Sequence, residues 1–406
     1  MNLEKPIIVV KFGGSILMDE VNVKKAADMV KSEVERGLRL VIVVSALKGY
    51  TDELLNLAKK VAPDASASYL DEVLAMGEKT SSRIMSASLA SRGLDSYVLD
   101  TESPYWPIIT DDRHGDADPL LDETMKAVDE NLVPIIESGK IPVICGFIGK
   151  SKANKVTTMG RGGSDTTAVL LGSCLRAREV VLVKDAGSIL SADPSKVEGS
   201  VPIDVLDPEE AYILTAGGAK ILQAKALRYK KDDLIISVTS LENESLTSGG
   251  TLIGKGSVGY EIECYDKPVT MVTIVGAEAS NPQSLALMAY EVQRSEGEIV
   301  SITSDEKSSI LYISNGRKLL NNLHKLMVEK KIGKAVSSFE NLSMVTIKGR
   351  ALETNPGVIQ RFITPLASQG INIYGLVTIS SSIRFFVSNK EIEKALTLIR
   401  RALKGG

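Results

Sequence analysis

The stretch VVKFGGSIL at residues 9–17 ends an apolar run with a lysine, and two glycines follow that lysine closely. Glycines allow backbone N–H groups to approach an anion, and a neighbouring lysine adds positive charge. Lys11, Gly13, Gly14 and Ser15 are therefore candidates to hold a phosphate group. The alternative interpretation is a strand that turns into a helix, with Lys11 extended into solvent. The spacing matches neither the GxxxxGK of a P-loop nor the GxGxxG of a dinucleotide-binding turn.

A second glycine-rich segment, TTMGRGGSDTTAVLLG, occupies residues 157–172. Its glycines precede an apolar helical run, so unpaired N–H groups and the helix dipole would favour negative charge there. Arg161 can bind a carboxylate through two parallel hydrogen bonds. Ser164 and Asp165 have an alternative role as the N-cap and the first-turn acid of that helix. The segment predicts an anion-binding loop that includes Gly162.

Composition argues against several classes of function. Lysine and arginine number 48 against 51 acidic residues, and aromatic residues make up 4%, so neither a basic surface nor stacking platforms for nucleic acid are expected. Two histidines and three widely spaced cysteines give little support to a hydrolase triad, a metal centre or disulfides. No apolar run reaches the roughly 18 residues of a membrane span, and no secretion signal is evident. We therefore expect a cytoplasmic protein without membrane contact.

Strand and helix patterns alternate over the first 255 residues or so. Strands are predicted at residues 7–12, 40–45, 96–99, 141–147, 179–184 and 234–239, and several of them are continuous Val/Ile runs, as expected for strands buried on both faces of a parallel sheet. Helical patterns predict helices at residues 70–91, 120–138, 164–177 and 218–230. The alternation predicts an α/β fold with a doubly wound, mostly parallel sheet. Ligands of such sheets bind beyond the carboxyl ends of the strands, where both glycine segments fall.

The sequence repeats itself beyond a glycine-rich segment at residues 247–259. MVTIVG from Met271 returns as MVTIKG from Met344, and the dipeptides NP and SN return at nearly the same spacing. Each copy predicts a strand–helix–strand–strand–helix order, as in ferredoxin-like βαββαβ domains. The second copy lacks a last strand, and YEIECY at residues 260–265 is our candidate to lend it one. The predicted domains are residues 1–255, 256–340 and 341–406.

Two further motifs complete an ordered set: VVSALKGYTDEL from Val43 and MGEKTSSRI from Met76. With the two glycine loops they resemble the aspartate kinases of the amino acid kinase superfamily, and the C-terminal repeats resemble the paired ACT domains of those enzymes. The resemblance implies that ATP, with Mg²⁺, phosphorylates the side-chain carboxylate of L-aspartate to 4-phospho-L-aspartate, the first step towards lysine, threonine and methionine. A related kinase acting on glutamate, carbamate or a nucleoside monophosphate is one alternative. A non-catalytic amino acid sensor is another.

The resemblance also implies residue roles. A carboxylate acceptor is already ionised at neutral pH, so the site needs alignment and positive charge rather than a general base. Lys11 with the amides of Gly13 and Gly14 would hold the transferring phosphoryl group, and Asp165 would orient Lys11 or help to place Mg²⁺. The implied aspartate-binding residues are Ser45, Thr51, Glu78, Arg161, Gly162 and Ser164, with Arg161 at the α-carboxylate and Glu78 at the ammonium group. Otherwise, Glu78 is a solvated helix residue, and Ser45 and Thr51 are a strand end and a helix N-cap.

The nucleotide segment departs from the family pattern. In KDAGSILSADPSK, residues 184–196, Lys184 replaces threonine, Leu190 an aromatic residue and Ser195 arginine. Lys220 matches the family lysine of GAK, although a solvated helix lysine is the alternative. The implied ATP-binding residues are Lys11, Gly13, Gly14, Ser15, Lys184, Asp185, Leu190, Asp193, Lys196 and Lys220.

The C-terminal repeats depart from their pattern too. Gln283 follows NP in the first copy, where ACT domains usually carry a glycine, whereas the second copy keeps Gly357. The implied effector residues are Asn281, Asn355, Gly357 and Asn372, with lysine or threonine as the effector. Alternatively, both repeats serve only as a dimerising sheet. Because ACT sheets usually pair across subunits, we expect a homodimer or a dimer of dimers.

Overall fold

The computed structural model describes residues 6–219, 222–254, 261–316, 318–348, 352, 357–379 and 382–404. The chain divides into two compact units, residues 1–258 and 259–406, and each is described by itself. Within the described residues, no helix combines the length and apolar character of a membrane-spanning segment.

The first unit alternates strands and helices, as its periodicity predicts. Its strands are β1 Ile7–Phe12, β2 Arg39–Val44, β3 Ser96–Leu99, β4 Ile109–Thr110, β5 Ile141–Cys145, β6 Ile148–Ser151, β7 Val156–Thr158, β8 Glu179–Val183, β9 Ile189–Leu190, β10 Pro202–Ile203, β11 Val205–Leu206, β12 Ile235–Thr239 and β13 Thr251–Ile253. Its helices are α1 Glu20–Glu35, α2 Tyr50–Val61, α3 Ala67–Ala90, α4 Leu121–Ala127, α5 Val133–Glu137, α6 Gly163–Cys174, α7 Pro208–Ala216 and α8 Ala224–Leu227. A π-helical turn, Val128–Leu132, joins α4 to α5.

The main sheet of this unit has the strand order β11-β13-β12-β8-β1-β2-β5-β3. Neighbouring strands are parallel except for the β12–β13 pair. The central strand β1 is buried on both faces, because Val9 packs in one apolar cluster and Ile8 and Val10 pack in another. The predicted doubly wound α/β fold is confirmed. Parallel pairing brings the carboxyl ends of β1, β2, β5 and β8 to one edge of the sheet.

The helix predicted for residues 218–230 is wrong in extent. Within the described part of that range, only the four residues of α8 form an α-helix, while α7 occupies the residues before it. Gly217 and Gly218 follow α7, and Gly218 has a φ of +97°. A left-handed glycine ends a helix because it redirects the chain. The apolar pattern did not show this break.

The second unit holds the two sequence repeats. Its strands are β14 Glu261–Cys264, β15 Val269–Val275, β16 Gly297–Ser304, β17 Ser308–Asn315, β18 Ala335–Lys348, β19 Ile373–Ile379 and β20 Ser382–Ser388. Its helices are α9 Pro282–Arg294, α10 Leu319–Lys330, α11 Val358–Ser368 and α12 Ile392–Lys404. Each repeat builds its own apolar cluster between its helices and its part of the sheet.

One long strand, β18, belongs to both repeats. Its first part, Ala335–Phe339, pairs with β15, and its second part, Leu342–Lys348, pairs with β20. The strand β14 pairs antiparallel with Val345–Lys348, which is the part of β18 that opens the second repeat. The sheet order β16-β17-β15-β18-β20-β19 therefore runs continuously through both repeats.

Candidate active site

The first glycine loop follows β1 at the carboxyl edge of the sheet. Lys11 lies near the end of this strand and is only 8% exposed. The chain then turns at Gly13 and Gly14. A Cβ atom on Gly14 would lie 2.7 Å from the carbonyl oxygen of Ala46, so a larger residue would push this loop away from the end of β2. The loop thus brings the Lys11 ammonium group and the backbone of Gly13 and Gly14 together at the carboxyl edge of the sheet.

The second glycine loop connects β7 to α6. Gly160 and Gly162 have φ values of +70° and +72°, which residues other than glycine rarely adopt. The helix α6 begins at Gly163, so Ser164 and Asp165 are buried in its first turn. Its N-cap residue is Gly162, and the capping interpretation of Ser164 is wrong.

Asp165 forms ion pairs with two lysines. The Nζ atom of Lys11 lies 2.8 Å from its Oδ1, and the Nζ atom of Lys184 lies 3.3 Å from its Oδ2. Burial favours a raised pKa for Asp165, but the two ammonium groups outweigh it and hold the pKa at about 2. Burial also lowers the pKa of Lys184, while the Asp165 carboxylate opposes that shift. Asp165 is therefore ionised at any working pH and orients both ammonium groups.

A cavity of about 710 Å³ opens beside this ion pair, and we call it the first cavity. Lys11 and Arg161 both line it, so the two glycine loops meet at one site. The other predicted residues that line it are Gly14, Ser15, Ser45, Thr51, Glu78, Gly162, Ser164 and Asp165. Gly13 lies close by, since a Cβ atom there would be 3.3 Å from the Lys11 Nζ atom.

Glu78, on α3, is buried in the wall of the first cavity. Its side chain contacts solvent little, with 3% exposure, so the interpretation as a solvated helix residue is wrong. Its Oε1 atom accepts a hydrogen bond of 3.1 Å from the Ala46 N–H group, whereas its buried Oε2 atom has no hydrogen-bond partner among the described residues. Burial raises the pKa of Glu78 to about 8, although the Ala46 hydrogen bond opposes it. An ammonium ligand would stabilise the ionised form.

Two hydroxyl residues border the same cavity. Ser45 directly follows β2, and its N–H group donates a hydrogen bond of 3.1 Å to the Phe12 carbonyl oxygen. Thr51 lies within α2, whose N-cap residue is Gly49, so the capping interpretation of Thr51 is wrong. Both residues remain candidates to contact a bound acceptor.

A cavity of about 330 Å³, the second cavity, lies beside Lys184. Its lining includes the predicted residues Lys184, Leu190, Asp193 and Lys196, and also Leu214 and Gly217, which the sequence did not indicate. Asp185 is exposed and is not among the described residues that line this cavity. Lys220 lies outside the part of the chain that the structure describes. Lys184 lines this cavity while its ammonium group binds Asp165, which lines the first cavity. One member of that ion pair therefore lines each cavity.

Asp71, Phe147 and Thr158 also line the first cavity, and sequence reasoning missed all three. Asp71 precedes Glu78 by about two turns of α3, so helical periodicity could have placed both on one face. Phe147 has a φ of +68° just after β5. The residue types around Phe147 do not predict that backbone conformation.

No group of three or more His, Cys, Asp or Glu side chains that could hold a metal ion occurs in the described ranges. The carboxylate of Asp165 is already bound by two lysines. This donor set fits Mg²⁺ that is held mainly by nucleotide phosphates and water, which are ligands that the ion prefers.

The predicted effector residues lie in the second unit. Asn281 caps α9, because its Oδ1 atom accepts hydrogen bonds of 2.9 and 3.1 Å from backbone N–H groups of the first turn. Gly357 precedes α11 with a φ of +81°, and Asn372 is exposed just before β19. Asn355 lies outside the described residues. Effector binding at these positions stays a prediction.

Comparison with known proteins places the chain in a family. The model of the amino acid kinase family matches residues 6–238, and an ACT domain model matches residues 337–401. An aspartokinase of Geobacillus stearothermophilus is 32% identical over 382 residues, which cover 90% of this chain and 89% of the relative. The chain belongs to the amino acid kinase family. The resemblance to aspartate kinases that the motifs indicate is thereby confirmed.

Solved structures agree with this fold. The aspartate kinase from Synechocystis has a TM-score of 0.75 at 22% identity, over 98% of this chain and 69% of that one. E. coli aspartokinase III in complex with aspartate and ADP has a TM-score of 0.57 at 24% identity, over 98% of this chain and 99% of that one. At these identities the likenesses show the fold, and they extend over nearly the whole of this chain.

Proposed function

We propose that the protein transfers the γ-phosphoryl group of ATP to the side-chain carboxylate of L-aspartate. The observation that carries this proposal is the first cavity, in which Lys11, Glu78 and Arg161 supply charges for both ends of an amino acid and for a phosphoryl group. The 32% identity to a full-length aspartokinase supports the choice of acceptor. So does the aspartate and ADP complex of E. coli aspartokinase III.

The acceptor needs three contacts. Arg161 would bind the α-carboxylate, since its guanidinium group can donate two parallel hydrogen bonds. The Oε2 atom of Glu78 would accept a hydrogen bond from the ammonium group. The hydroxyl groups of Ser45 and Thr51 would contact the bound aspartate between its two ends. Held at both ends, the side-chain carboxylate would point towards Lys11.

The transfer step then requires little chemistry from the protein. An ionised side-chain oxygen of aspartate attacks the γ-phosphorus, and the bond from that phosphorus to the β,γ-bridging oxygen breaks, which leaves ADP and an acyl phosphate. Lys11 neutralises charge on the migrating group, and Asp165 keeps the ammonium group in position. No side chain has to remove a proton, because the acceptor is already a carboxylate.

The nucleotide would occupy the second cavity, with its phosphates towards Lys184. In this arrangement Lys184 lies at the junction of the two cavities, where charge develops on departing ADP. When bound to the nucleotide, Mg²⁺ would neutralise further charge on the phosphates. Leu190 would offer an apolar surface in place of the aromatic side chain of the family pattern.

A hydroxylamine trap tests the proposal directly, because hydroxylamine converts an acyl phosphate into a stable hydroxamate. With ATP and Mg²⁺ we expect the hydroxamate from aspartate, and far less from glutamate or with carbamate as acceptor. Turnover of glutamate but not of aspartate would overturn the proposed acceptor. Binding of aspartate without turnover of any acceptor would instead favour the amino acid sensor.

We also propose that residues 1–255 form the catalytic domain and that 256–340 and 341–406 form two regulatory domains, with 260–265 lending a strand to the second. The β14–β18 pairing and the repeated order of elements support this division. The ACT domain match supports control by an amino acid effector such as lysine or threonine and dimerisation through the ACT sheets. E. coli aspartokinase III is known in complex with lysine and aspartate.

A further inference from the structure

We propose that Asp71 is a positioning residue for the acceptor, because it fixes the loop that carries Arg161 relative to Glu78. This inference rests on the proposed function and names a determinant of acceptor selectivity. Asp71 is 1% exposed and lines the first cavity from α3.

The carboxylate of Asp71 joins two segments that come from elsewhere in the chain. It accepts a hydrogen bond from the Thr158 hydroxyl at the end of β7. It also contacts the Nδ1 atom of His114 at 2.7 Å and accepts hydrogen bonds of 3.2 Å from the Gly115 N–H group. Since a carboxylate only accepts, Nδ1 of His114 must donate. Asp71 thereby ties α3 both to β7 and to the loop at residues 111–118.

The loop at residues 111–118 is in turn fastened to the second glycine loop. The Ala117 N–H group donates a hydrogen bond of 2.9 Å to the Thr158 carbonyl oxygen. Lys225 contacts Asp116 at 2.8 Å and the Met159 carbonyl oxygen at 3.0 Å. These bonds hold residues 158 and 159, which lead directly into the glycine loop.

The loop at residues 111–118 also packs against the second glycine loop. A Cβ atom on Gly160 would lie 2.5 Å from the Asp116 Oδ1 atom, so the loop at 111–118 lies directly against the residue before Arg161. The Arg161 residue itself is exposed. Its place in the cavity therefore depends on the backbone that Asp71 and Lys225 hold.

The consequence concerns the length of the acceptor. Glu78 and Asp71 lie about two turns apart on one rigid helix, and they face the same cavity. Through Asp71, α3 sets the distance between the ammonium-binding carboxylate and the guanidinium group of Arg161. A fixed distance aligns the aspartate side chain with the phosphoryl group and misaligns a chain that is one methylene longer.

Asp71→Asn tests this role, because the amide can replace only one of the two accepting oxygens. We expect the KM for aspartate to rise about tenfold, the KM for ATP to change less than twofold, and the preference for aspartate over glutamate to fall. The matched control is Asp100→Asn. Asp100 is also buried and accepts a hydrogen bond of 2.7 Å from Arg83, but it lies outside the described lining of both cavities. An unchanged KM for aspartate in Asp71→Asn, or equal KM changes for both substrates, would overturn the inference.

A second measurement separates this inference from the proposed function. Amide hydrogen exchange at residues 158–163 should accelerate in Asp71→Asn and stay unchanged in Asp100→Asn, and it requires no turnover. Failure of the wild-type protein to form the hydroxamate would overturn the proposed function itself, whereas unchanged exchange in Asp71→Asn would overturn the inference and leave the proposed function standing. Where Asp71→Asn does not fold, the half-buried His114 supplies the deciding variant, His114→Gln. A selective KM rise in that variant supports the inference, and no rise overturns it.

Discussion

Lys11 and Asp165 come from separate glycine loops, and the Nζ atom of Lys11 lies 2.8 Å from the Asp165 Oδ1 atom. The pair is nearly buried, with the Lys11 ammonium group at the edge of the first cavity. Burial of an ammonium group is costly unless the group is paired, and Asp165 supplies the partner of Lys11. The same carboxylate binds Lys184, so one aspartate organises the positive charge for both cavities.

Lys11→Ala should abolish phosphoryl transfer while leaving aspartate binding nearly intact. We expect kcat to fall by at least about 10²–10³, because a donor aimed at developing charge is lost. The dissociation constant for aspartate, measured by calorimetry, should change less than about threefold. Lys25→Ala is the control, since Lys25, on α1, also forms an ion pair but has a side chain that is 40% exposed. Undiminished turnover in Lys11→Ala would disprove its role.

Lys184→Thr, which introduces the family residue, should mainly affect the nucleotide. The variant removes one ammonium group from the second cavity, so we expect the KM for ATP to rise several-fold and the KM for aspartate to change little. Steady-state kinetics with each substrate varied in turn measures both constants. Lys196→Thr is the comparison, because Lys196 lines the same cavity but is exposed. A larger effect at Lys196 than at Lys184 would contradict the placement of the phosphates.

Glu78 predicts a pH dependence of aspartate binding. Its pKa of about 8 means that most molecules carry the neutral acid at pH 7, whereas the ammonium group of aspartate requires the carboxylate. The association constant should therefore increase about tenfold between pH 7 and pH 9. Calorimetry in buffers of different ionisation enthalpy should also show proton release below pH 8. The absence of both effects would show that Glu78 does not bind the ammonium group.

Glu78→Gln should stabilise the ligand-free protein. The pKa of Glu78 is raised from 4.5 to about 8 on folding, so the stability it contributes is fully present below pH 4.5 and is lost as the pH rises through 8. The variant escapes that loss, which amounts to about 1.4 kcal/mol for each pH unit in that window. Thermal unfolding at pH 5 and pH 8.5 should show a Tm gain only at the higher pH. A Tm at pH 8.5 that is the same in Glu78→Gln as in the wild-type protein would contradict a buried carboxyl group whose Oε2 atom has no hydrogen-bond partner among the described residues.

Much of the site could be predicted from the sequence because it is encoded locally. Lys11 and the glycines of both loops occur in short runs whose residue types indicate anion binding. Parallel strands bring such runs to one edge of the sheet. The Val/Ile runs likewise marked β1 and β8, since a strand buried on both faces has little other composition.

The rest depends on contacts between distant segments. The bonds from Asp71 to Thr158 and His114 leave no local trace, and neither does the pairing of Asp165 with Lys184. The failed helix at 218–230 has a related cause. Its apolar residues pack against α6 and α7, and their spacing therefore resembles that of a helix. The left-handed backbone of Gly218 nevertheless ends α7 and redirects the chain.

The structure of the protein with aspartate and a non-hydrolysable ATP analogue tests the central claim most directly. The account predicts that Arg161 contacts the α-carboxylate of aspartate, while Lys11 lies between the side-chain carboxylate and the terminal phosphate of the analogue. A complex in which Lys11 and Arg161 contact ligands in separate cavities, or in which the terminal phosphate lies far from Lys11, would contradict it.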